Sequence, residues 1–164
     1  MRRILYLVRH AEAVPAQAER ADKQRSLTQQ GEQTALQLGL FIKEKNSNLN
    51  LIIASPANRA LTTAQIVAQQ VSYDLKNIRI DERIYSANKF EIFKLLCTLA
   101  DSISQVLLVG HYPTLVELYN YLSENDSKQT MQPAEMCSLA FDMPWTEVAG
   151  GCGNPSIFYH PNSL

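Results

Sequence analysis

The sequence predicts an α/β fold: a three-layer α/β/α sandwich around a mostly parallel central sheet. Three observations predict it. Short, continuous apolar runs stand at residues 4–8, 51–54 and 106–109, the pattern of strands buried on both faces. Segments with apolar residues at helical spacing separate them. Strand and helix alternate along most of the chain, and such alternation builds a parallel sheet with helices on both sides.

Each element follows from its residues. Residues 4–8 (Ile-Leu-Tyr-Leu-Val) form the first strand, and the polar, Ala-rich stretch 11–27 is a loop. Thr28 caps a helix running to about Asn46, with Ala35, Leu38, Gly39 and Ile42 as its apolar stripe. Residues 51–54 form the second strand. Ser55-Pro56 reads as cap and first helical position of a helix over 56–71, with Ala60, Ala64, Val67, Ala68 and Val71 inward. A third strand is expected at 78–80. A helix over 89–100 follows, with Phe93, Leu96, Cys97 and Ala100 inward. The fourth strand, 106–109, ends in Gly110-His111, and Pro113-Thr114 opens a helix burying Leu115, Leu118, Tyr119 and Leu122. Two further strands, 138–142 and 156–159, flank a turn-rich loop containing Gly150, Gly151 and Gly153. No repeat, linker or low-complexity tract divides the 164 residues, so one domain over 1–164 is expected.

Composition narrows the function. Hydrophobic residues are 46% and charged residues 19% of the chain, a globular balance. The net charge of −1 offers no broad basic field, which argues against nucleic-acid binding. The apolar run after Met1-Arg2-Arg3 is too short for a signal peptide, and no other segment reaches membrane-span length. Three cysteines (Cys97, Cys137, Cys152) without C-x-x-C spacing suggest neither a disulfide framework nor a zinc knuckle. A cytoplasmic protein is expected. P-loop, H-E-x-x-H and G-x-S-x-G motifs are absent. None of the cysteines has an Arg six residues downstream, as a thiolate phosphatase loop needs.

In open parallel sheets, ligands bind beyond the carboxyl ends of the strands. Three such ends carry unusual residues: Arg9-His10, Ser55-Pro56 leading to Arg59, and Gly110-His111. Two guanidiniums and two imidazoles meeting there form a local cationic cup. Guanidinium forks bind the paired oxygens of a phosphoryl group. An imidazole is a competent nucleophile near neutral pH, and a second one, in its cationic form, can stabilise charge on the equatorial oxygens. This chemistry requires neither metal nor cofactor.

Four motifs carry a family resemblance. Leu7-Val8-Arg9-His10-Ala11-Glu12 resembles the R-H-G-[ED] signature of the histidine phosphatase superfamily. Arg25-Ser26-Leu27-Thr28-x-x-Gly31 is similar to its R-x-L-T-x-x-G element. Ser55-Pro56-x-x-Arg59-Ala60-x-x-Thr63-Ala64 and Val109-Gly110-His111-Tyr112-Pro113 resemble its two later motifs, in the family's order. The short chain most resembles the small, SixA-type phosphohistidine phosphatase branch. The resemblance implies a phosphoglycerate mutase-like fold, with His10 as nucleophile, Arg9 and Arg59 as phosphoryl clamps, and His111 opposite. It implies Arg25 as a phosphate-binding rim residue and Glu82 as general acid.

Two positions depart from the pattern. Ala11 replaces the usual Gly and would narrow the approach to the nucleophile. The segment 84–88 after Glu82 lacks the glycine that usually follows the acid. A weakly supported acid favours a labile P–N bond over an ester. The expected function is therefore hydrolysis of phosphohistidine on a partner protein, such as a phosphorelay or phosphotransfer carrier. The alternatives are a phosphomonoesterase for small metabolites and, less favoured, a non-catalytic phosphate-binding domain. The shortness of the early loop predicts a shallow pocket. Asp22 and Lys23 read as solvated charge, Tyr112 as packing, His160 as structural, Cys97 as core, and Trp145 as packed near the final loop.

Overall fold

The computed structural model describes residues 1–18, 21–45, 47–86 and 88–162. Six strands form one sheet: β1 Arg3–Arg9, β2 Leu51–Ala54, β3 Arg79–Ile80, β4 Gln105–Gly110, β5 Met136–Phe141 and β6 Asn154–Tyr159. Their order across the sheet is β3-β2-β4-β1-β5-β6. The first four listed are mutually parallel, while β5 runs antiparallel to β1 and β6 antiparallel to β5. The helices are α1 Gln29–Glu44, α2 Asn58–Gln70, the single turn α3 Arg83–Ser86, α4 Lys89–Cys97 and α5 Thr114–Ser123. The fold is the expected mixed, mostly parallel α/β sandwich.

Alternation along the strands builds both helical layers. Leu5 and Leu7 of β1, with Val106 and Leu108 of β4, join Ile92, Leu95, Leu115 and Leu118 on the α4/α5 face. Tyr6 and Val8, with Leu107 and Val109, join Leu38, Ile42, Ala60, Ala64 and Val67 on the α1/α2 face. Strands covered on both faces read as continuous apolar runs, which is why these were legible in the sequence.

Three expectations need correction. Ser55-Pro56 does not start α2: Ala57 is the N-cap and makes no side-chain cap bond, because Ser55 is engaged with His111 at the pocket. In α4 the buried positions are Ile92, Leu95 and Leu96, followed by Leu99, whereas Phe93 and Cys97 are half-buried and Ala100 is exposed. That stripe was placed one residue out of phase in a short helix apolar on several sides. Residues 11–18 and 21–27 are also more ordered than a plain loop. Ala13 bridges Leu27, Val14 donates its N–H to the Ser26 carbonyl (2.9 Å), and a 3-10 turn covers Asp22–Gln24. Asn46, the expected end of α1, lies outside the described residues. Among the described residues no helix is long and apolar enough to cross a membrane.

Candidate active site

The carboxyl ends of β1, β2 and β4 lie side by side, with Arg9 paired to Gly110 and Ala54 to Val109. The three expected sequence elements therefore open into one cavity of about 460 Å³. Arg9, His10, Arg59 and His111 line it together with Arg25, Asp22, Tyr85 and Tyr112.

His10 is 9% exposed. Its Nδ1 lies 2.8 Å from the Ala11 carbonyl oxygen. A carbonyl only accepts, so Nδ1 carries the proton and Nε2 keeps its lone pair. Arg59 Nε donates to that Nε2 at 3.3 Å, and the His111 ring centroid is 5.2 Å from that of His10. Burial holds the His10 pKa down at about 3. The Ala11 carbonyl opposes this, and His111, Arg59 and Arg9 add to it. His111 is lowered to about 4, by burial first and then by Arg59 and Arg9, against a smaller upward pull from Asp22. Both imidazoles are therefore neutral in the free protein near pH 7. The expected cationic form of His111 belongs to the phosphoryl-bound site; in the free protein burial, with Arg59 and Arg9, keeps the ring neutral.

The motif residues between these groups have mechanical roles. Thr63 Oγ1 accepts from the Ala11 N–H (3.0 Å) and donates to the Arg59 carbonyl (2.7 Å), tying α2 to the segment that carries His10. Ser55 Oγ pairs with His111 Nε2 at 2.8 Å and accepts from the Ala57 N–H at 3.2 Å. Arg9 donates from one terminal nitrogen to the Met131 carbonyl (2.7 Å), and its guanidinium lies 5.4 Å from the Tyr112 ring centre. Tyr112 is 43% exposed at the pocket, not packed away. Gly31 passes against the Glu12 backbone so closely that a Cβ there would collide with the carbonyl oxygen. Ala11 is fully buried, in a small cluster with Leu27, Ala35 and Ala134. It is not among the residues that line the cavity.

The rim differs most from the sequence reading. Arg25 does reach the cavity, where Nε donates to the Val14 carbonyl (2.8 Å) and a terminal nitrogen to Asp22 Oδ1 (3.1 Å). Asp22 is no solvated charge: it also accepts from Arg59 and from the Tyr85 hydroxyl. Lys23 lies over the Tyr85 ring, 4.8 Å from its centre, and pairs with Glu82 at 2.9 Å. The Glu82 side chain is 73% exposed and does not line the cavity. Asp22 and Tyr85 were missed. Asp22 stands three residues before Arg25, and that spacing on one turn was the signal available for it; Tyr85 offered none. Among the described residues, no cluster of three or more His, Cys, Asp or Glu side chains is placed to share a metal ion.

Comparison with known proteins bears on the family and the fold. The model of the histidine phosphatase superfamily (branch 1) matches residues 5–86, half of the chain. A Nakamurella multipartitia protein described as a candidate phosphohistidine phosphatase SixA superposes with a TM-score of 0.84 at 23% identity, over 99% of this chain and 98% of its own. The protein histidine phosphatase SixA complexed with tungstate gives 0.84 at 18% identity, over 96% and 97%. A mycobacterial glucosyl-3-phosphoglycerate phosphatase gives 0.71 at 13% identity, over 96% and 98%. At these identities the likeness is one of fold. No curated protein matches the sequence.

Proposed function

We propose that this chain, which belongs to the histidine phosphatase superfamily, is a phosphatase working through a covalent intermediate on His10 Nε2, with phosphohistidine on a partner protein as substrate. The observation that carries the reading is the His10 ring itself. Its proton is pinned to a backbone carbonyl on one side, and its bare nitrogen faces a guanidinium in a cationic cavity on the other. Nε2 attacks phosphorus, and the bond to the leaving group breaks. Arg9, Arg59 and His111 bear on the charge of the equatorial oxygens. Water then adds to phosphorus, the P–Nε2 bond breaks, and the ring returns neutral with its Nδ1 proton still in place, releasing dihydrogen phosphate.

Two features favour a P–N bond over an ester. Alkoxide is a poor leaving group without a placed acid, and the carboxyl group expected in that role, Glu82, stands outside the cavity, paired to Lys23. The cavity is also small and opens beside exposed Tyr112, which suits a single phosphorylated side chain presented by a folded partner.

The test is turnover of phosphohistidine and of p-nitrophenyl phosphate by wild type and His10→Ala. Both activities should fall at least about a thousandfold in the variant, and acid-labile phosphoryl label should be trapped on wild type alone. Equal turnover by the variant removes the nucleophile assignment. Ester turnover without any action on phosphohistidine favours a metabolite phosphomonoesterase.

A further inference from the structure

The cavity holds a group that an anion site does not call for. Asp22 stands among the guanidiniums as a carboxylate. Its Oδ2 accepts from a terminal nitrogen of Arg59 (3.0 Å) and from the Tyr85 hydroxyl (2.8 Å), and its Oδ1 accepts from Arg25 (3.1 Å). Its backbone carbonyl accepts from the other terminal nitrogen of Arg59 (2.8 Å). This charge repels phosphoryl oxygens and occupies the paired end of the Arg59 fork. The same guanidinium donates its Nε to His10 Nε2, so a single planar group spans the gap between nucleophile and carboxylate. Tyr85, Arg25 and Arg59 keep Asp22 ionised, well below the usual carboxylate range. The side chain is 44% exposed. Three of its roughly four lone-pair positions are taken, so it retains capacity to accept from a ligand.

A carboxylate fixed in this way accepts hydrogen bonds and does not give protons. Among the described residues, no group lining the cavity is a carboxylic acid or a cationic imidazole at neutral pH. A leaving group too basic to depart as an anion must therefore bring its own proton. N-phosphorylated imidazole does so when its far nitrogen is protonated, whereas a phosphate ester has no equivalent site.

We propose that Asp22 is a specificity-determining residue: its carboxylate accepts the far N–H of a protonated, N-phosphorylated imidazole and so selects that ring over a phosphate ester. The proposal rests on the phosphohistidine reading above and deepens it. In the step, His10 Nε2 bonds to phosphorus and the P–N bond breaks. The electron pair of that bond returns to the substrate ring, which leaves as neutral imidazole with its far proton still held by Asp22. No proton changes hands. His10 is arranged in the same manner, with the Ala11 carbonyl holding the far N–H, so the second P–N cleavage also expels a neutral ring.

Two measurements on the full chain test this. In the first, kcat/KM is compared for phosphohistidine and p-nitrophenyl phosphate in wild type, Asp22→Asn and Asp22→Glu. The ratio of the two should fall at least tenfold in Asp22→Asn, with the ester reaction improved because a negative charge has left the anion site. Asp22→Glu should keep the wild-type preference. Parallel changes for both substrates, as from a mere tether on Arg59, overturn the proposal. The second uses wild type only and so does not depend on the variants folding. Hydrolysis of p-nitrophenyl phosphate is followed at a sub-saturating vanadate concentration with either imidazole or N-methylimidazole added. Imidazole, which has the N–H, should inhibit at several-fold lower concentration, and equal inhibition overturns the assignment. A wild type inert toward phosphohistidine sinks the parent reading. A wild type active on it with an unchanged Asp22→Asn ratio sinks only the role of Asp22.

Discussion

Acid titration is the perturbation that tests the electrostatics most directly. An ordinary imidazole titrates near 6.5, but burial and the surrounding guanidiniums put His10 at about 3 and His111 at about 4. Between those values and 6.5 the unfolded chain takes up protons that the folded chain refuses. Stability therefore rises with pH across that window and is lost as pH falls from 6.5 toward 4. Each group contributes a slope of at most about 1.36 kcal/mol per pH unit, so the pair together is worth several kcal/mol by pH 4. Urea unfolding from pH 7 to pH 4 measures this, with His10→Gln/His111→Gln as reference. The wild type should lose more stability than the double variant, and ring NMR of the His160→Gln protein should show both remaining imidazoles neutral at pH 5. Inorganic phosphate should shift the His111 midpoint upward, since a bound anion favours the imidazolium. Midpoints near 6.5 in the free protein, or identical pH slopes for wild type and double variant, would refute the arrangement of charges around His10.

Two further predictions follow from individual contacts. Thr63→Val keeps shape but removes the acceptor of the fully buried Ala11 N–H. Leaving such a donor unpaired costs about 1–3 kcal/mol, to be read as a lower urea midpoint, and a loss of activity should accompany it because the His10 segment is no longer tied to α2. Arg59→Lys retains the charge but cannot reach His10 and both Asp22 oxygens at once. Loss of a preorganised donor set of this kind lowers kcat by about 10²–10³, and wild-type turnover in that variant would take Arg59 out of the site.

The sequence was legible where local pattern and burial coincide. The strands β1, β2 and β4 are covered on both sides, so their apolar runs stood out, and their polar terminators had to converge because parallel strands share a carboxyl edge. His10, Arg59 and His111 could be placed together on topology alone. What escaped depended on contacts between loops. Asp22 and Tyr85 are 63 residues apart and meet only because the turn at Asp22–Gln24 lies at the cavity, a placement that no periodicity encodes. Ser55 looked like a helix cap because Ser-Pro is a common cap sequence, yet its hydroxyl serves His111. The α4 stripe was out of phase because Phe93 and Leu96 satisfy a helical period as well as Ile92 and Leu95 do. Gly31 was read as part of a motif, and its physical cause is the contact with the Glu12 backbone.

Burial is the main reason the imidazoles resist ionisation, and the charge balance in the cavity adds to it. Among the described residues, Arg9, Arg25 and Arg59 supply three positive charges and Asp22 one negative, leaving two positive charges around a partly buried space. Protonating both histidines would double that excess at ring separations near 5 Å, where low-dielectric surroundings make repulsion severe. With neutral rings, an incoming phosphoryl dianion balances the guanidiniums and carboxylate without residue. In the proposed reaction, Asp22 keeps the cup from holding product too tightly, while the neutral His10 keeps its lone pair available for attack. A site with one more positive charge would bind phosphate better and release it more slowly, which is the direction in which Asp22→Asn should move product inhibition.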